Sequence, residues 1–125
     1  MSSNIPTNIH LHQRTGILEL NWDRHTYYLT AEYLRVHSPS AEVQGHSPDQ
    51  AVLQTGKREV KISGLEPQGH YAIRIEFSDG HDSGIYTWEY LHELATHHDT
   101  LWQRYLDALD EEGASRDPRF IAVGR

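Results

Sequence analysis

The sequence predicts an α+β fold, an antiparallel sheet of four to six strands with about three helices, two of them C-terminal. Two observations carry this. Up to Tyr86 the apolar residues mostly recur at every second position, interrupted by one short helical stretch. Beyond Thr87 the spacing changes to three and four, the period of a helix face. Strands therefore run together before the main helices, unlike the alternation of a βαβ chain.

Each element has its own signal. Ile9 and Leu11 alternate with His10 and His12, Gln13-Arg14-Thr15-Gly16 supplies a turn, and Leu18, Leu20 and Trp22 return at period two. Ile9 to Trp22 is thus a hairpin, with Gly16 suited to positive φ. After a turn at Asn21–His25, Thr26 to Leu29 makes a short strand. Thr30 caps a helix with Glu32 in its first turn, which ends near His37 because Ser38-Pro39 breaks it. Ser38 to Gly56 reads as a long polar loop, either functional or mobile.

Val60, Ile62 and Leu65 continue an extended pattern, and Glu66-Pro67-Gln68-Gly69 reads as a turn. Tyr71, Ile73, Ile75 and Phe77 give the clearest strand, followed by the glycine-containing loop 78–84 and a further extended piece at Ile85-Tyr86. Thr87 is an N-cap, and Tyr86 with Leu91 has the spacing of a hydrophobic staple. Trp88, Leu91 and Leu94 share one helix face. Past Thr96–Thr100, Leu101, Trp102, Tyr105, Leu106 and Leu109 share another, which Gly113 ends. Asp110, Glu111 and Glu112 oppose the helix dipole, so this end is expected to fray. The organisation is a flexible arm at 1–7, a single domain at 8–112 and a tail at 113–125, in which Phe120–Val123 is a candidate docking segment.

Composition excludes several functions. The 125 residues suit one domain with one core. Without cysteine there can be no disulfide, zinc-thiolate site, iron–sulfur ligation or cysteine nucleophile within the chain. A net charge of -7 argues against nucleic acid as the main partner. No apolar run approaches the ~20 residues of a membrane span. Nor does the N-terminus resemble a signal peptide, so a cytoplasmic location is expected.

Three stretches then stand in order: Tyr33–Val43 (YLRVHSPSAEV), Leu65–Ile73 (LEPQGHYAI) and Phe77–Trp88 (FSDGHDSGIYTW). Together they resemble the gamma-butyrobetaine hydroxylase N-terminal-like family, over roughly residues 8–95. In the hydroxylase this domain precedes a separate catalytic domain carrying iron and 2-oxoglutarate. Related domains occur alone in bacteria or fused to P-loop ATPases that carry iron–sulfur clusters. The resemblance implies a stand-alone, non-catalytic accessory or adaptor module with a protein partner, in iron–sulfur or cofactor metabolism. It also implies a structural zinc site of three cysteines and one histidine, at positions held here by Ser38, Ser40, Val43 and His81. Hydroxyls and a valine cannot replace thiolates, so that zinc site is expected to be lost.

The remaining candidates follow from residue chemistry. His37, His46 and His81, with Asp82, are candidate ligands for zinc, iron or a small anion; the plainer reading is exposed histidines in polar loops. His10 and His12 lie on one strand face and can chelate a metal, or simply face solvent. His97-His98-Asp99 contains a His-x-Asp, but no histidine follows His98, which excludes the non-haem iron triad; Asp99 reads as a cap. His81, Asp82 and Ser83 are too close in sequence for a hydrolase triad, and no nucleophile elbow or P-loop is present, so no enzyme is expected. The tryptophans and tyrosines could form an aromatic binding surface, but most should be core or core-edge, with Trp102 the best exception. Arg35 and Arg74 could bind a carboxylate or phosphate, salt bridging to nearby acids being the ordinary alternative.

Overall fold

The computed structural model of the chain describes residues 5–118. Its first sheet holds β1 (Asn8–His12), β2 (Ile17–Trp22) and β3 (His25–Thr30) in the order β1-β2-β3. The second holds β4 (Ile62–Gln68), β5 (Ala72–Phe77) and β6 (Gly84–Thr87) in the order β4-β5-β6. Every pairing is antiparallel. The helices are α1 (Ala31–Val36), α2 (Ala41–Gln44), α3 (Trp88–Thr96) and α4 (His98–Glu111), with a 3-10 turn at Pro48–Gln50. The class is the α+β expected, with two helices C-terminal. The six strands are shared between two sheets, and α2 lies within the segment expected to be loop.

Two expectations before the second sheet's centre need correcting first. Glu66–Gln68 is strand rather than turn, pairing with Arg74–Ala72, and the chain reverses after it, at Gly69 with φ 56°. Pro67 fits because β4 is an edge strand, where a missing N–H need not interrupt the ladder. In the polar loop, Ser40 supplies an N-cap, its side chain accepting from the Glu42 N–H, and α2 follows.

The two threonine signals act as read. Thr30 and Thr87 cap α1 and α3 by accepting from the N–H groups of Tyr33 and Tyr90. One core gathers Leu18, Leu20 and Leu29 from the first sheet, and Ile73, Ile75 and Phe77 from the second. Tyr33, Leu34, Tyr86, Leu91 and Leu94 fill the space between. Burying two tyrosines requires partners for their hydroxyls. Tyr33 donates to the Leu94 carbonyl at 2.6 Å and Tyr86 to the Leu34 carbonyl at 2.5 Å.

Helix α4 does not end loosely. The Ala114 N–H reaches the Leu109 carbonyl and the Gly113 N–H the Asp110 carbonyl, a Schellman closure around Gly113 at φ 64°. That closure offsets the unfavourable acids of the last turn. The segment expected to be tail then runs beside residues 56–58, with the Gly56 and Arg58 N–H groups donating to the Ser115 and Arg116 carbonyls. Arg116 grips Glu32 of α1 through two hydrogen bonds, at 2.8 and 2.7 Å, and lies 5.0 Å over the Trp102 ring. Trp102 is therefore a packing residue, against Tyr33 and Tyr105 as well. The Phe120–Val123 segment lies outside the described residues. Among the described residues no helix is long and apolar enough to cross a membrane.

Candidate functional site

The most concentrated polar chemistry in the interior lies where the end of α1 meets the loop between β5 and β6. Pro39 follows the end of α1, and Ser40 after it is extended. Ser40 caps α2, which places Glu42 in its first turn. On the facing loop, Asp79 accepts from the His81 N–H, and the Phe77 N–H donates to the His81 carbonyl at 2.9 Å. This tight loop turns the His81 ring inward, to 7% exposure.

There His81 links two partners. Its Nδ1 lies 3.1 Å from Glu42 Oε1 and its Nε2 lies 2.8 Å from Ser38 Oγ. An ionised carboxylate only accepts, so Nδ1 carries the proton and Nε2 accepts from the Ser38 hydroxyl. The Ser40 N–H donates back to Ser38 Oγ, and Ser40 Oγ lies 2.8 Å from Ser83 Oγ. Among the described residues no buried side-chain nitrogen or oxygen lacks a partner.

Ser38, His81 and Glu42 have the connectivity of an acyl-transfer triad. The nucleophile position is sealed, however. Ser38 is fully buried, and Gly84 presses so close that an added Cβ would meet Ser38 Oγ at 2.5 Å. No substrate carbonyl can approach it in this arrangement. The chain of hydrogen bonds is suited instead to locking two loops together.

Charge around this lock is also balanced. Arg35, 7% exposed, donates to Asp79 at 2.9 Å and to Gln54 at 3.1 Å, while Lys57 donates to the same carboxylate at 2.8 Å. Burial pushes the Asp79 carboxyl up. The hydrogen bonds from Lys57, the His81 N–H and Arg35 outweigh it and hold the group at about 2. Burial, with the nearby Arg35, lowers the His81 imidazole, and Glu42 and Asp79 oppose that only in part.

The three loop histidines are not gathered. His37 directs Nδ1 to the Tyr33 carbonyl at 2.8 Å and packs at a tilt against the Tyr33 ring, and burial lowers its basicity. His46 is exposed, its backbone N–H held by Gln50. His81 points to Ser38 and Glu42. Among the described residues no group of three His, Cys, Asp or Glu side chains is placed to hold a metal ion. Of the positions where the resemblance implied zinc ligands, Ser38 touches His81 directly and Ser40 connects through its backbone. Val43 is buried and brings no donor atom. Two hydroxyls, one imidazole and a valine do not make a zinc donor set.

Arg35 and Arg74 are both engaged by acids, Arg74 by Glu66, Glu76 and Asp82. Asp99 is no cap. Helix α4 starts at His98, and His97 precedes it without a capping side-chain bond. Glu42, Asp79 and the Glu32–Arg116 pair escaped sequence reasoning. A Ser-x-Glu at a helix start was the available signal for Glu42, whereas Arg116 lies 84 residues from Glu32 and carries no local signal.

Comparison with known proteins agrees with this architecture. The chain matches the family model described as gamma-butyrobetaine hydroxylase-like, N-terminal, over residues 9–92. A protein solved by NMR in solution is 51% identical, with 99% of this chain and 98% of that one covered and a TM-score of 0.84. A second NMR structure is 41% identical, with coverage of 96% and 91% and a TM-score of 0.75. A crystal structure from Acidithiobacillus ferrooxidans ATCC 23270, a protein with unknown function in the DUF971 family, is 40% identical. It covers 74% of this chain and 93% of its own, with a TM-score of 0.62. No curated protein matches the chain.

Proposed function

The chain belongs to the gamma-butyrobetaine hydroxylase-like N-terminal family, and from that premise we propose that it is a non-catalytic accessory module. It works in the cytoplasm, docks to a protein partner and has lost the family's zinc site. The observation that supports this best is the sealed Ser38–His81–Glu42 chain, which joins two of the four positions the family would give to zinc, Ser38 and His81, to a carboxylate. Both His81 ring nitrogens have protein partners there, which favours loops joined by hydrogen bonds over loops joined by a metal. A buried Ser38 hydroxyl likewise favours a structural role over turnover. The net charge of -7 favours a protein partner over nucleic acid.

Two measurements test the proposal. Protein purified without an affinity tag is expected to carry no stoichiometric metal and to melt at the same temperature with and without chelator. Stoichiometric zinc, or a melting temperature lowered by chelator, overturns the loss of the zinc site. Cross-linking in the native cell is expected to recover one protein at a fixed ratio to this chain. Its failure at saturating cross-linker, or recovery of nucleic acid in its place, overturns the adaptor role.

A further inference from the structure

A second histidine constellation lies on the opposite kind of surface, outside the core and away from the loops just described. Strand β1 is an edge strand of the first sheet. Ile9 and Leu11 pack toward the core, so the pleat turns His10 and His12 to the outer face. Their ring centroids lie 4.4 Å apart, inclined by 54°. Register places Glu19 of β2 opposite His10, and its carboxylate reaches diagonally to His12 Nε2 at 2.8 Å. The two rings border a shallow depression with Gln13, Arg14 and Thr15.

We propose that His10 and His12 form a two-imidazole chelate for a divalent transition-metal cation, Cu2+ most tightly, with water completing the coordination. Imidazole selects copper, nickel and zinc over magnesium and calcium, and copper stands highest in the divalent series. Glu19 acts as a positioning residue. By accepting the Nε2 proton of His12 it fixes the tautomer and leaves Nδ1 with its lone pair, the role a carboxylate plays behind many metal-bound histidines. Two protein ligands leave coordination positions open, so the cation would be held reversibly and stay accessible to an exchanging ligand. This site is independent of the accessory role proposed above, since neither histidine takes part in the sealed cluster.

The test is a Cu2+ titration of the full, untagged chain at neutral pH, followed by two-dimensional NMR. Paramagnetic broadening is expected first at His10, His12 and their β2 neighbours, before any other histidine responds. H12Q is expected to weaken binding at least ~10-fold, and E19Q to weaken it ~10-fold while broadening still centres on β1. Both substitutions lie on the outer face of the sheet, at half-buried positions, and an unchanged spectrum of the remaining residues confirms an intact fold. The proposal is overturned if broadening begins at His97, His98 or His46, or if the H10Q/H12Q double variant binds Cu2+ as tightly as wild type.

Discussion

The two histidine clusters differ in what surrounds them. His81 is buried and both its ring nitrogens have protein partners. His10 and His12 are on an open strand face, and among the described residues only one of their ring nitrogens, His12 Nε2, is in a hydrogen bond to a protein side chain, that of Glu19. The same residue type therefore serves as cross-link in one place and as available ligand in the other. Burial decides which, because a buried imidazole must have its hydrogen bonds made, whereas an exposed one can keep a lone pair for a solute. A histidine count alone cannot separate the two uses.

The contrast can be broken most forcefully at Gly84. Its added Cβ would meet Ser38 Oγ at 2.5 Å, so G84A should destabilise the fold by about 3 kcal/mol, read as a lowered denaturant midpoint. A change below ~0.5 kcal/mol would mean that the loops are not tightly locked. H81A comes next. It removes the shared partner of Ser38 and Glu42 and should cost about 2 kcal/mol, with little change in m-value.

Acidification gives a third test. The folded state lowers the basicity of His81 and His37, chiefly by burial. Their unfolded forms bind protons first, so the stability these groups contribute is fully present above about pH 6.5 and is lost as pH falls through their lower folded values. The slope should approach ~1.4 kcal/mol per pH unit for each group, and H81A should flatten it. If the variant and wild type keep parallel pH profiles, His81 is not the titrating cross-link. The smallest effect belongs to the outer face, where H10Q and H12Q should change stability by no more than ~0.5 kcal/mol while altering copper binding.

Sequence patterning made the strands, α3, α4 and the two threonine caps legible because each depends on residues within one turn or one pleat. Tyr33 and Tyr86 are core, as expected of most of the aromatics, whereas Tyr28 and Tyr71 are exposed. What stayed hidden was long-range. Nothing near Pro67 says that β4 lies at a sheet edge, which is why Glu66–Gln68 read as a turn. Nothing near His37, His46 and His81 says that their rings point apart, whereas the strand pleat alone sufficed to pair His10 with His12. Family resemblance located the Ser38, Ser40, Val43 and His81 positions. Glu42 became His81's partner only once α2 was seen to form, and Asp79 its loop anchor only once the β5–β6 turn was seen.

The Arg116–Glu32 grip bears on how the chain is made. Glu32 is 5% exposed, and its guanidinium partner lies 84 residues further along. On the ribosome the first sheet and α1 emerge early, but α1 cannot settle with Glu32 in place at low cost until the cation arrives, because an unpaired buried carboxylate is strongly disfavoured. The N-terminal half thus waits for the last stretch of the described chain, and the two settle together rather than element by element.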